Sequence, residues 1–299
     1  MTEDKIEKND LWSYIERHKP QIEAALREHL PLAPSNIETK FNEAVRYALF
    51  SGGKRLRPVL TLLGAELVGG QTDSIVPAAC AVEFIHTSSL IFDDLPAMDD
   101  SNERRGKDSL HEQFGEGLAI LAAIGLLNQA YGLVFVNHTG TPERAMRAHA
   151  EIVECVGASG MVGGQSVDLA LAKSAGANEA DGYESESVRN LKTSALMRLA
   201  LRLGAILAGA NYLDLAHLSR FAELLGDAYQ LSDDLIDLDE DNQIFESKTY
   251  AINQGAETAR LKLKTIVEDA KGVLIENFPS NEARTCLIQL TDYLAERKA

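Results

Sequence analysis

Two strings of aspartates carry the spacing in this chain that most needs a chemical explanation. The first is Asp93, Asp94, Asp99 and Asp100 in SLIFDDLPAMDDSNERRG, where an apolar helical stretch runs directly into paired carboxylates. Acids at a helix C-terminus oppose the macrodipole, so a purely structural role there is unfavourable. Pro96 disfavours helix at Leu95, which predicts that the chain loosens and folds Asp99 back towards Asp93. The second string is Asp233, Asp234 and Asp237 in YQLSDDLIDLDED, inside a long helical pattern that begins near Leu213. Asp233 and Asp237 are four apart and share a face, where like charges repel by roughly 0.2–0.5 kcal/mol. A solvated acidic face explains either string alone, but two of them in one chain point to a cation. All-oxygen sites select hard ions, and Mg2+ shared between one or two carboxylates and substrate phosphates fits best.

The basic residues suggest the matching anion. Gly52-Gly53-Lys54-Arg55-Leu56-Arg57-Pro58 supplies three cations in four residues after a flexible glycine pair. With Pro58 as the first residue of the next helix, free backbone N–H groups lie beside those cations and favour an anion. Cations solvated in a turn are the structural alternative. Arg104 and Arg105, directly after the first acidic string, add bidentate donors suited to phosphate, so the expected anion is a diphosphate. His86 lies seven residues before Asp93, two turns back on the same helical face, and is expected to line the same cleft. Without that neighbourhood it would read as a core histidine.

The elements that hold these groups are helices. Apolar residues recur at three- and four-residue spacing, as in Leu11, Tyr14 and Ile15 or Phe221, Leu224, Leu225 and Ala228. Alternating strand-like runs are missing, and breakers such as Gly69-Gly70 and Gly163-Gly164 punctuate the pattern. About ten to twelve helices are expected, an all-α single large bundle over residues 1–299, with an exposed loop from Gly176 to Glu186. The 299 residues are 45% hydrophobic and 25% charged, enough for a sizeable core. Cys80, Cys155 and Cys286 are expected to be buried reduced thiols. A net charge of -16 excludes nucleic acid as a partner. The polar, acidic N-terminus lacks the pattern of a secretory signal, and the apolar run from Leu118 to Leu127 falls short of a membrane span, so a soluble, cytoplasmic protein without a transmembrane segment is expected.

In order along the chain, GGKRLRP, DDLPAMD with its trailing RRG, GMVGGQ at Gly160 to Gln165, Lys192-Thr193 and YQLSDD resemble the motifs of the trans-prenyltransferases, the polyprenyl synthase family that includes farnesyl and geranylgeranyl diphosphate synthases. The resemblance spans about residues 41 to 250. It implies a helical bundle around a deep central cleft, usually a homodimer, with the two acidic motifs on opposite walls. It further implies that Asp93, Asp99 and Asp233, assisted by Asp94 and Asp237, hold Mg2+, two or three ions per site, bridging the allylic diphosphate. Arg104, Lys192 and Lys248 would add donors to that diphosphate. Lys54, Arg57, His86 and Arg105 would hold isopentenyl diphosphate. Thr193 and Gln230 would present oxygen dipoles to the allylic cation, and the released diphosphate would take the final proton.

Product length follows from the helix before Asp93. Farnesyl synthases of the family commonly close the chain-elongation tunnel with an aromatic residue about five positions before the first aspartate; here that position is Ser88, followed by Ser89. One and a half turns is about 7.5 Å of depth, and two small side chains leave it open, so a twenty-carbon product is expected and farnesyl diphosphate is the alternative. The chain departs from the family pattern at Ala123-Ile124, where Gly-Asp is usual, and in DLDEDNQIFESKTYAIN, which is short and keeps only Lys248. A terpene cyclase would not need the cations around Lys54 and Arg57. The shortened stretch supports the other alternative, a non-catalytic partner subunit, against which the intact acidic strings speak.

Overall fold

The computed structural model describes residues 10–136, 141–174, 182–240 and 255–297, with side chains in those ranges except at 171–174, 182–193 and 237–240. The described elements are α1 (Leu11–Glu28), α2 (Phe41–Phe50), α3 (Leu56–Leu67), α4 (Val76–Asp94), a hairpin of β1 (Glu103–Arg104) and β2 (Lys107–Asp108), α5 (Leu110–Phe114), α6 (Glu116–Leu133), α7 (Pro142–Val156), α8 (Met161–Ser174), α9 (Gly182–Ala208), α10 (Tyr212–Glu240), α11 (Ala256–Asn277) and α12 (Glu282–Glu296). The expected all-α bundle is what forms. Cys80, Cys155 and Cys286 are buried free thiols within it.

Helix α4 is apolar on nearly every side and is correspondingly buried along almost its whole length. It is flanked by α3 and by α6, while α9 packs on α3, α7, α8 and α10. Glycine makes the tightest of these contacts possible. A Cβ on Gly64 of α3 would lie 2.1 Å from the Leu201 carbonyl oxygen, and one on Gly204 of α9 would lie 1.8 Å from that of Thr61. The two backbones therefore touch through reciprocal gaps, which draws α9 against the helix that begins at the basic loop.

That loop is pinned by Arg55. Its backbone is left-handed, with φ 54°, at the N-cap of α3. Its buried guanidinium donates to Glu23 of α1 at 2.7 Å, to Glu83 of α4 at 2.7 Å and to the Leu49 carbonyl at the end of α2 at 2.8 Å. Arg55 is thus a structural cation that ties three helices together, and it is withdrawn from any ligand. Helix α3 starts at Leu56, so Pro58 is its third residue and not its first; a missing N–H is still harmless within the first turn.

Two further expectations are corrected. Residues 182–186 are the first turn of α9, so of the loop expected from Gly176 to Glu186 only residues up to 181 remain, and these lie outside the described ones. The hairpin was not expected at all: Glu103 pairs with Asp108 and Arg104 with Lys107 across a turn in which Arg105 and Gly106 both have positive φ, 56° and 75°.

Helix α6 is long and apolar enough, by length and composition, to cross a membrane, with a third of that window buried. In the bundle its alanine face, Ala119, Ala122, Ala123 and Ala130, is fully buried, while Leu121 and Ile124 stand 55% and 50% exposed on the other side. The helix thus has two apolar faces, of which the fold covers one.

Candidate active site

The first acidic string folds as its proline requires. Leu95 is extended at the end of α4, and the Asp99 N–H donates to the Asp93 carbonyl at 2.9 Å. The Asp100 N–H reaches the Leu95 carbonyl at 3.2 Å, and that of Ser101 the Asp94 carbonyl at 3.2 Å, closing the loop over the helix end. Asp93 and Asp94 then part company. The buried Asp94 is gripped by Arg104, whose Nε lies 2.8 Å from both carboxylate oxygens and whose Nη2 lies 2.5 Å from Oδ1. Asp93 instead faces an apolar cavity of about 290 Å³ that runs along α4 past Phe92, Ser89, Ser88 and Ile85 and is closed by Met161 and Gln165 of α8.

The second acidic string lies on α10. Gln230, Asp233 and Asp234 are half-buried. Asp233 accepts from Arg297, beyond the end of α12, at 2.5 Å; the same guanidinium donates to Ser232 Oγ at 2.6 Å and to the Tyr229 carbonyl at 2.7 Å, and sits 4.4 Å from the Tyr229 ring centre. The side chains of Asp237, Lys192 and Thr193 and the whole of Lys248 lie outside the described residues.

Beside the first string, His86, Arg104 and Arg105 line one cavity with Asp94, and Arg57 joins them through His86. Arg57 Nη1 lies 3.1 Å from His86 Nε2, and Arg57 Nε is buried without a partner among the described residues. Burial, and then the guanidiniums of Arg57, Arg105, Arg104 and Arg55, hold His86 well below the usual histidine range. The ring is therefore neutral, and its Nε2 accepts from Arg57. Burial also pulls the Arg57 guanidinium down, and Tyr229 of α10 is close enough to act on it. His86 lies two turns before Asp93 on α4 and pairs with Arg57, Tyr229 lies one turn before Asp233 on α10, and the cavity that Asp93 lines includes no described residue of α10. The hairpin brings Arg105 beneath the glycine pair, where its Nη1 donates to the Gly52 carbonyl at 2.8 Å. Gly53 has φ 124°, and a Cβ there would come within 3.0 Å of that guanidinium, so both conformation and approach favour glycine.

Lys54 is the member of the basic loop that the structure draws aside. Its ammonium stands 5.5 Å from the Trp12 ring centre and 5.9 Å from that of Tyr293. Arg297, Trp12 and Tyr293 were not singled out in the sequence. They lie at the two ends of the chain, far from every motif, and no local spacing marks them.

Among the described residues, no group of three or more metal-binding side chains is close enough to hold an ion by itself. The donor set still fits Mg2+, because that ion takes only one or two carboxylates and completes its shell with water and phosphate oxygens. Asp93, open to the cavity and joined to Asp99 through the folded loop, is such a partial site.

A helical bundle that sets carboxylates and a cluster of arginines beside an apolar cavity defines a class: it suits a molecule with a diphosphate head and a hydrocarbon tail. The Polyprenyl synthetase family matches residues 38–273. Geranylgeranyl pyrophosphate synthase 11, chloroplastic, of Arabidopsis thaliana is 40% identical over 303 residues, covering 96% of this chain and 82% of that protein. Dimethylallyltranstransferase of Fischerella ambigua is 36% identical over 302 residues, covering 96% and 84%. The crystal structure of an FPP/GFPP synthase from Zymomonas mobilis superposes with a TM-score of 0.84 at 30% identity, over 95% of this chain and 98% of that one. The chain belongs to the polyprenyl synthetase family and is a prenyltransferase.

The depressed His86 has a consequence for stability. In the unfolded chain histidine titrates near 6.5, whereas in the fold it resists protonation, so below that pH the unfolded state binds more protons. Stability is expected to fall as the pH drops through 6.5 and below. Urea midpoints at pH 7.5 and 5.5 should show a larger acid loss for the parent than for His86→Gln; equal losses would place His86 in an ordinary environment.

Proposed function

We propose that this chain is a geranylgeranyl diphosphate synthase, which extends an allylic diphosphate with isopentenyl diphosphate until the product has twenty carbons. The observation that carries this reading is the apolar cavity leading from Asp93 down α4, in which the positions that would close a farnesyl tunnel are Ser88 and Ser89. Their hydroxyls are tied to backbone, Ser88 to the Ala123 carbonyl at 3.0 Å and Ser89 to the His86 carbonyl at 2.9 Å, so the wall they present is small and nonpolar. Relatives named geranylgeranyl pyrophosphate synthase support the same length.

The division of labour follows the contacts. Arg57, whose Nε has no partner among the described residues, together with Lys54, Arg105 and the neutral His86, would bind the diphosphate of isopentenyl diphosphate, where the cations replace its water. Arg104 is aligned by Asp94 through Nε and Nη2, which leaves its Nη1 edge for the allylic diphosphate, with Lys192 and Lys248 as the further expected donors. Asp93, Asp99 and Asp94 on one side and Asp233 and Asp237 on the other would hold Mg2+, which when bound stabilises the departing diphosphate as the C–O bond ionises. For Asp233 to serve, Mg2+ would have to replace the Arg297 guanidinium from which it accepts. The hydrocarbon tail would fill the cavity beside Ser88 and exclude water from the allylic cation, to which Gln230 and Thr193 are the residues expected to offer oxygen dipoles. The double bond of isopentenyl diphosphate attacks that cation, and the freed diphosphate accepts the proton that is lost.

The reading extends to assembly: the uncovered face of α6, with Leu121 and Ile124 continuing into the exposed Phe135 and Val136, is suited to a second copy of the chain.

Purified chain incubated with Mg2+, labelled isopentenyl diphosphate and dimethylallyl primer should yield chiefly twenty-carbon product, and Ser88→Phe should shift it to fifteen carbons or fewer. Chiefly fifteen-carbon product from the parent would overturn the length assigned here. Light scattering after gel filtration should give a dimer mass that drops to a monomer in Leu121→Lys/Ile124→Glu; a monomeric parent would refute the homodimer.

A further inference from the structure

We infer that Trp12 and Tyr293 are positioning residues for Lys54, an aromatic cradle that holds its ammonium at the mouth of the cleft for delivery to isopentenyl diphosphate. The inference rests on the reading of Lys54 as a ligand of that substrate. The two rings meet edge to face, with centres 5.1 Å apart and planes at 84°, and the ammonium is within 6 Å of both. That is the range in which the ring quadrupole attracts a cation.

The need for such a cradle is local. Lys54 is exposed and follows two glycines at φ 116° and 124°. Left alone, the ammonium would spread over solvent-facing rotamers, and only the fraction near the cleft would be ready for an anion. The cradle is itself anchored. Asp10 caps α1 by accepting from the Ser13 N–H at 2.8 Å, and the Leu11 N–H donates to Gln289 Oε1 of α12 at 2.7 Å, one turn before Tyr293. One turn beyond Tyr293 stands Arg297, on Asp233 and Tyr229. The end of α12 therefore touches the basic loop and the second acidic string together. A diphosphate outcompetes two rings for an ammonium, because full charges attract more strongly than a quadrupole, so the cradle releases Lys54 when substrate arrives.

Trp12 is the only tryptophan in the chain, so its fluorescence reports on the cradle directly. Adding inorganic diphosphate should change the Trp12 emission as the ammonium leaves the ring, and the change should be absent in Lys54→Met. In turnover, Trp12→Leu should raise KM for isopentenyl diphosphate about threefold to tenfold, with kcat and the KM of the allylic primer within about twofold. Trp12→Phe should restore most of the loss, and Trp12→Leu should add nothing once Lys54 is Met. An unchanged or lower KM for isopentenyl diphosphate in a folded Trp12→Leu, or an effect of equal size in the Lys54→Met background, overturns the inference. A parent that does not turn over isopentenyl diphosphate sinks the proposed function instead; in that case the emission arm still decides the cradle, and no change on adding diphosphate overturns it.

Discussion

A carboxylate that leaves water must be answered by a cation, and the cleft of this protein is organised by that requirement. Glu83 is answered by Arg55, Asp94 by Arg104 and Asp233 by Arg297, each through a short charge-assisted contact. Breaking one partner of such a pair leaves a stranded charge, which costs far more than the pair contributes. The pairs therefore act chiefly as locators: they fix a guanidinium beside each wall and hold the loops that carry it. Beside these pairs stand an aspartate that lines an apolar cavity and a cluster of Arg57, Arg105 and His86. In a chain of net charge -16, anionic substrates are admitted because that cluster is concentrated at one place and because divalent ions come with them.

The bundle serves this arrangement by putting the whole sequence of tasks along one helix. From its C-terminal end backwards, α4 presents the acidic pair, then the serines of the cavity wall, then His86 beside Arg57, then Glu83 holding Arg55. Helix α3 brings the basic loop alongside because Gly64 and Gly204 let its backbone meet that of α9 without side chains between them. On the proposed reading, charge handling at one end and hydrocarbon accommodation further down are positions on a single helix, and a change at Ser88 would act on product length apart from the groups proposed to bind the diphosphate.

Much of this was legible in the sequence where the cause is local. Pro96 dictates the turn that returns Asp99 to Asp93, seven residues place His86 two turns from Asp93, and helical periodicity runs almost unbroken. What was not legible depends on distant partners. Lys54, Arg55 and Arg57 look alike as three cations in one loop, yet Glu23 and Glu83 take Arg55 into the interior, Trp12 and Tyr293 take Lys54 aside, and only Arg57 stays in the cluster. The hairpin escaped because an arginine at positive φ carries no usual turn signal; its position is stabilised by the contact with Gly52. Arg297 could not be tied to Asp233 from 64 residues away. The roles expected of Asp237, Lys192, Thr193 and Lys248 fall on side chains outside the described residues.

On the proposed function, the two acidic strings bind divalent ions together with a diphosphate and not as a finished cage. Calorimetric titration of the purified chain with Mg2+, in the absence and presence of inorganic diphosphate, tests this directly. Weak Mg2+ binding alone, strengthened by diphosphate and lost in Asp93→Asn, is the result expected. Tight Mg2+ binding without diphosphate, or diphosphate binding indifferent to Mg2+, would contradict it.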